Sequence, residues 1–330
     1  GCGNTVDLTY QPALNLVMDT LRYWVSEFKV DGFRFDLAAT LGRQGDDYNP
    51  EAAFFKAVAQ DPILRETKLI AEPWDISRYS LGEFQYPWRE WNDYYRDAIR
   101  QFWLGDLARG FGEGVSALAS SIAGSSNIFY FRGPTSSINF ITAHDGFTLN
   151  DLVSYQEKRN LPNSEDNRDG ANTNRSWNVG VEGETDDLRI QQIRKSLQKS
   201  MLATLLLSSG VPMITMGDEV GRTQHGSNNA FTLPIDLNQG NWDSEESWRG
   251  GWALDWQPSE QNLDLQNAFI ELVRIRQNYL SDITSDFFTG RIDFGTERKD
   301  IAWFSLSGNE MTDKHWSDGD KRSVTVFLEA

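Results

Sequence analysis

Val30-Asp31-Gly32-Phe33-Arg34-Phe35-Asp36 reads as a short buried strand that ends by presenting a carboxylate. Val30, Phe33 and Phe35 supply apolar, β-favouring character, Gly32 permits close backbone packing, and Asp36 stands where the strand runs out. Upstream, residues 12–28 set Leu14, Val17, Met18, Leu21, Val25 and Phe28 on one helical stripe. A helix feeding straight into a buried strand is half of a βαβ unit. Such α/β architectures gather their chemistry at the C-terminal ends of strands, which is where Asp36 sits.

Working outward, residues 51–60 fit a helix turning Ala53, Phe54, Ala57 and Val58 inward. Residues 68–71 form a second strand that must stop at Glu72-Pro73-Trp74-Asp75, because Pro73 cannot donate to a ladder. A third short strand is expected at 86–91, with helices over 92–103 and 114–123. Residues 137–143 read as a strand closed by His144-Asp145-Gly146, so Asp36, Glu72 and Asp145 mark three strand ends. The polar stretch 161–187 lacks apolar periodicity, and a loop that long inside a domain is usually functional or disordered.

A helix over 187–208 groups Ile190, Ile193, Leu197, Met201 and Leu205, and Gly210 and Pro212 stop it. A strand at 211–216 leads into Gly217-Asp218-Glu219, where the acidic pair reads as the N-cap of the next helix, with lining of the crevice as its other role. Residues 222–258 are irregular and hold Trp242, Trp248, Trp252 and Trp256, and 263–279 form a last amphipathic helix. Beyond residue 287 the texture turns to antiparallel β, with strands at 300–304 and 324–328.

The 330 residues are enough for one large α/β domain and part of a second. A net charge of −17 argues against nucleic acid as a partner. No run approaches the roughly 18 apolar residues of a membrane span, so no membrane partner is expected. Cys2 is the only cysteine, which excludes an internal disulfide framework and fits a reducing compartment. Gly1-Cys2-Gly3-Asn4 has neither a basic nor an apolar region of the kind a signal peptide needs, so the cytoplasm is expected. His225 and His315 read as surface residues outside any metal-ligand spacing, and no metal site is expected. The chain is also rich in Trp and Tyr, rings that bind sugar faces as well as filling cores.

Three carboxylates at successive strand ends would converge on one crevice if the strands form a barrel. Two carboxyl groups about 5 Å apart are the requirement of a retaining glycosidase, although such residues also cap helices or bind metals. The acid of such a pair must stay protonated near neutral pH, which burial achieves.

The motifs narrow this. Asp31-Gly32-Phe33-Arg34-Phe35-Asp36, Ala71-Glu72-Pro73-Trp74-Asp75 and Phe140-Ile141-Thr142-Ala143-His144-Asp145 resemble, in order and spacing, the second, third and fourth signature regions of the α-amylase superfamily. Glu90-Trp91-Asn92-Asp93, Asn167-Arg168-Asp169-Gly170 and Gly217-Asp218-Glu219-Val220-Gly221-Arg222 sharpen the resemblance toward bacterial glycogen debranching enzymes and isoamylases. The resemblance implies a (β/α)8 TIM-type barrel and cleavage of α-1,6 branch linkages of glycogen or related α-glucans with retention. It implies Asp36 as nucleophile, Glu72 as general acid and base, and Asp145 as stabiliser of the transition-state charge. Arg34 would orient Asp36, His144 would hydrogen-bond the sugar, and Trp74 is a candidate substrate contact with packing as its competing role. No cofactor is implied. The same three carboxylates serve α-1,4 hydrolysis and glycosyl transfer, and an inactive glucan-binding fragment is the reading from a different class.

The family's first signature region, Asp-Val-Val-Tyr-Asn-His, has no match. Residues 1–286 are therefore expected to be the C-terminal part of the barrel, about strands 4 to 8, and 287–330 the start of a C-terminal β-sandwich. A partial barrel leaves sheet edges open, so the missing N-terminal half or self-association is the expected partner.

Overall fold

A computed structural model of the chain describes residues 5–45, 47–110, 112, 114–230, 260–280 and 286–329. It divides into two units, Gly1–Asn92 with Ser125–Ile138, and Asp93–Gly124 with Asn139–Ala330.

The first unit opens with α1 (Gln11–Phe28), which carries a proline in its first turn, where no intrahelical partner is needed for the missing N–H. Lys29 ends the helix in the left-handed conformation, its N–H donating to the Val25 carbonyl at 3.2 Å and the Val30 N–H to that of Trp24 at 3.5 Å. β1 (Gly32–Phe35) then pairs in parallel with β2 (Lys68–Ala71), from Gly32 opposite Lys68 to Phe35 opposite Ala71. The helix α2 (Ala53–Gln60) joins them, which completes a βαβ unit. β2 pairs in parallel with β3 (Arg89–Asn92), Ala71 opposite Glu90. A Cβ on Gly32 would lie 2.1 Å from the Lys68 carbonyl oxygen, so this close approach admits only glycine.

The core of this unit is aromatic. Phe54, Phe55, Val58, Leu64, Leu69, Phe84 and Trp88 are buried together, with Phe35 5.1 Å from Trp88 between ring centroids. Three expectations change here. β1 is half-buried rather than buried, and Phe55 takes the inward place expected of Ala53, which is exposed. The third strand also lies further along than expected, at Arg89–Asn92, clear of Pro87.

In the second unit, α3 (Asp93–Arg100) runs into a wide turn at Gln101–Gly105, and α4 (Ser116–Ile122) follows. β4 (Ser137–Phe140), whose last two residues open the second segment of this unit, is buried throughout and shorter than the expected 137–143. α5 (Leu188–Leu207) precedes β5 (Val211–Met213), itself shorter than 211–216. α6 (Glu260–Tyr279) uses Arg276 to cap α5, Nη1 donating to the carbonyls of Leu206 and Ser208 at 2.8 Å each. β6 (Ile301–Phe304) and β7 (Thr325–Leu328) form the expected antiparallel pair.

Leu197, Met201 and Leu205 of α5 enter a core with Tyr95, Ile99, Phe147, Leu149 and Leu152. Ile193 does not; it is exposed, and Arg194 and Gln198 turn inward instead. The Arg194 guanidinium donates to the carbonyls of Gly183 at 2.7 Å and Asn178 at 2.9 Å, so the first turns of α5 hold a loop rather than extend the core. Of the irregular stretch expected at 222–258, residues 231–258 with Trp242, Trp248, Trp252 and Trp256 lie outside the described residues.

Candidate active site

Side chains alternate across β1, so Phe33 and Phe35 pack against the aromatic core while Arg34 leaves by the other face. Arg34 Nη1 donates to Asp36 Oδ1 at 3.0 Å. Its Nη2 lies 3.0 Å from Glu72 Oε2, an ion-pair contact not aligned as a hydrogen bond. The guanidinium also stacks 4.3 Å from the Trp91 ring centre, which fixes its plane. The two carboxylates live in different surroundings: the Asp36 side chain is 70% exposed and that of Glu72 8%.

After Asp36 the chain turns through Leu37, whose φ of 44° lies in the left-handed region. This aims the Leu37 N–H at Glu72 Oε2, 2.9 Å away. Burial raises the Glu72 carboxyl above its ordinary value, opposed by the Leu37 N–H and Arg34 and reinforced by neighbouring Asp36. Trp74, half-buried, sits in the turn after Glu72 and bridges to Tyr79. Asp75 fixes that turn by accepting from Arg43 and from the N–H groups of Ser77 at 2.7 Å and Arg78 at 2.8 Å. Glu90, opposite Ala71, is fully buried against Arg132 and accepts from the Gly82 N–H at 2.6 Å; burial pushes its carboxyl to about 7.

The second unit carries His144 and Asp145 on the segment that leaves β4. His144 Nε2 lies 3.5 Å from Asp145 Oδ2 and both side chains are exposed. Below them the segment is held from several sides. Buried Arg100 donates from Nε to the Ile141 carbonyl at 2.8 Å, the Gly146 N–H donates to the Asn228 carbonyl at 2.9 Å, and Asp145 bridges to Asn229. Asp218 is not the expected helix cap. Its carboxylate is buried and accepts from the Thr142 hydroxyl and from the Leu149 N–H at 3.0 Å.

The polar stretch 161–187 has its own scaffold. Asn160 Nδ2 donates to Asn228 Oδ1 at 2.7 Å, Asn160 Oδ1 accepts from the Asn228 N–H at 3.0 Å, and Asn228 Nδ2 donates to the Ala171 carbonyl at 2.7 Å. Asp169 Oδ2 accepts from Asn163 and Asn229 at 2.8 Å each. Sequence reasoning passed over Asn160 and Asn228, for which the dense asparagine content of 160–174 was the available signal, and read Asp218 as a helix cap. The structure thus brings Arg34, Asp36 and Glu72 together in the first unit, with Trp74 on the adjoining turn, and places His144 and Asp145 side by side in the second. Among the described residues no cluster of three potential metal ligands occurs, and no helix is long and apolar enough to cross a membrane.

No protein-family model matches the sequence. The glycogen operon protein GlgX homolog of Mycobacterium tuberculosis is 47% identical over 333 residues, covering 99% of this chain and 44% of that protein. The glycogen debranching enzyme of Erwinia tasmaniensis is 41% identical over 327 residues, covering 98% of this chain and 45% of that protein. The chain spans less than half the length of both relatives. Among solved structures, the pullulanase from Bacillus acidopullulyticus superposes with a TM-score of 0.60 at 21% identity, over 92% of this chain and 32% of that one. At that identity the likeness concerns the fold, the α/β barrel of the amylase type with its parallel sheet. Motifs, sequence identity and fold agree that the chain belongs to the isoamylase and glycogen-debranching group of the α-amylase superfamily.

Proposed function

We propose that the chain carries the catalytic carboxylates of a retaining glycoside hydrolase that cleaves α-1,6 branch linkages of glycogen-like α-glucans. In the first step an Asp36 oxygen attacks the anomeric carbon while Glu72 gives its proton to the departing glycosidic oxygen, whose bond to that carbon breaks. In the second step Glu72 takes a proton from water, and the water oxygen displaces Asp36, so configuration is retained overall. Arg34 orients Asp36 through its 3.0 Å hydrogen bond. Asp145 stabilises the oxocarbenium-like charge, His144 hydrogen-bonds the same sugar, and Trp74 is the candidate ring contact. The protein supplies nucleophile and proton, so this chemistry needs no cofactor.

The observation that carries this reading is the Arg34 guanidinium set between an exposed carboxylate, Asp36, and a buried carboxyl of raised pKa, Glu72. It gives the two acidic residues unlike surroundings, one solvated beside a cation and one buried, as a nucleophile and a proton donor require. The branched substrate is supported by the relatives' names, glycogen operon protein and glycogen debranching enzyme.

Residues 1–286 are read as the C-terminal part of the barrel, about strands 4 to 8, and 287–330 as the start of a β-sandwich. Among the described residues β1 has a strand on one side only, and Tyr23, Trp24 and Phe28 of α1 are exposed. These surfaces suit further barrel strands, from the same polypeptide, a companion chain or a second copy. The single cysteine supports a reducing, cytoplasmic setting.

The test is release of reducing ends from glycogen, β-limit dextrin and linear dextrin by the chain, beside Asp36→Asn and Glu72→Gln. Branched substrates are expected to react, with a loss of about 10²–10⁴-fold in Glu72→Gln and a larger one in Asp36→Asn. Preference for linear dextrin would overturn the linkage, and turnover surviving in Asp36→Asn would overturn the roles.

A further inference from the structure

The segment 142–149 carries His144 and Asp145 between two hydrogen bonds to one carboxylate. Asp218 Oδ2 accepts from the Thr142 hydroxyl and Oδ1 from the Leu149 N–H at 3.0 Å. Asp218 is 2% exposed, and each of its carboxylate oxygens is spent on a different end of the segment. Leu149 opens a short helical turn anchored by Thr148, whose hydroxyl accepts from the Asp151 N–H, so the far end is rigid in its own right. Thr142 lies two residues beyond the strand end at Phe140, and both it and the intervening Ile141 are buried. The two ends are thus fixed points, and the Asp218 carboxylate sets the distance between them.

We infer that Asp218 is the positioning residue of Asp145, its carboxylate closing residues 142–149 into a fixed loop that aims the Asp145 side chain. This rests on the charge-stabilising role proposed for Asp145. A carboxylate that must face a developing charge loses its effect when displaced by about 1 Å, which is worth about 10²-fold in rate. An isolated loop of eight residues has no means of holding that tolerance. Burial pushes the Asp218 carboxyl up to about 6, which leaves it ionised at neutral pH and able to accept both bonds.

The test uses the full chain with Asp218→Ala, Asp218→Asn and Thr142→Val, each alone and with Asp145→Asn. Asp218→Ala is expected to lower kcat about 10²-fold. Asp218→Asn restores most of it, because its oxygen accepts from Leu149 and its amide donates to the Thr142 hydroxyl. With Asp145→Asn present the Asp218→Ala penalty shrinks below threefold, since there is no carboxylate left to aim. Thr142→Val removes one arm and gives a smaller loss with the same dependence on Asp145, should Asp218→Ala fail to fold. Amide exchange reads the clamp without turnover: protection at Gly146 and Leu149 falls in the variants while α5 stays protected. A full Asp218 penalty in the Asp145→Asn background, or unchanged protection across 142–149, overturns the inference. A wild-type chain that releases no reducing ends defeats the proposed function instead, and exchange still decides the clamp.

Discussion

The backbone N–H of Leu37 donates to Glu72 Oε2 at 2.9 Å, tying the residue after one strand end to the carboxylate at the next. The bond exists because Leu37 adopts φ 44°, a conformation that costs a non-glycine residue about 1–2 kcal/mol. Ala38 continues the tie, its N–H donating to the Glu72 carbonyl at 2.9 Å. Strain at this position is therefore coupled to the environment of the proposed acid.

Substitutions at Leu37 should separate backbone from side chain. Leu37→Gly relieves the strain and is expected to keep the N–H and most turnover. Leu37→Val, β-branched and poorly tolerated at positive φ, is expected to lower both kcat and the melting temperature. Equal turnover in the two variants would show that the left-handed turn is unimportant to Glu72.

The pH dependence of kcat/KM has a predictable direction. A general acid works only while protonated, so activity falls as pH rises through the Glu72 pKa, which lies above the ordinary 4.5. Arg34 favours the ionised form of Glu72, so Arg34→Gln should move this alkaline limb to higher pH while lowering the maximum rate. A limb that stays in place or moves down would remove Glu72 from the acid's role.

How much of this was legible beforehand differs from residue to residue. Gly32, Asp36 and Glu72 declare themselves through strand-ending patterns, because a period of two and a proline stop are local facts. Ile193 misled, since a helical stripe says which residues could share a core and not where the core stops; Arg194 took the inward place because Gly183 and Asn178 offered it carbonyls. Asp218 was misread as a cap because its partners, Thr142 and Leu149, lie about seventy residues away in sequence. Long-range hydrogen bonds of this kind leave no periodic trace.

The buried Glu90–Arg132 pair should dominate the stability of the first unit. Removing one partner strands the other charge, so Arg132→Met is expected to cost about 3–5 kcal/mol in urea unfolding. Glu90 is raised from 4.5 to about 7, so its contribution is fully present below pH 4.5 and is lost as pH rises through 7. That amounts to roughly 3 kcal/mol. Asp218, raised from 3.8 to about 6, has the same sign over a lower window. Glu90→Gln should lower the melting temperature at acid pH yet flatten its decline between pH 5 and 7. A decline as steep as in the parent chain would place the titrating group elsewhere.

Asn228 holds the asparagine scaffold, and its loss should loosen one loop selectively. It accepts from Asn160 and donates to the Ala171 carbonyl and to Asn174 Oδ1, the last at 3.0 Å. Asn160, Asn174 and Asn228 are all buried, so Asn228→Ala leaves polar groups without partners and costs about 1–3 kcal/mol for each group unpaired. The Gly146 bond to residue 228 uses the backbone carbonyl and survives the substitution. Amide exchange is therefore expected to accelerate through 158–174 while β1 and β2 keep their protection. A role of this loop in binding the branched substrate predicts that KM for glycogen rises more than kcat falls, as for any contact made equally in ground and transition states. A fall confined to kcat would instead make the scaffold a support for Asp145.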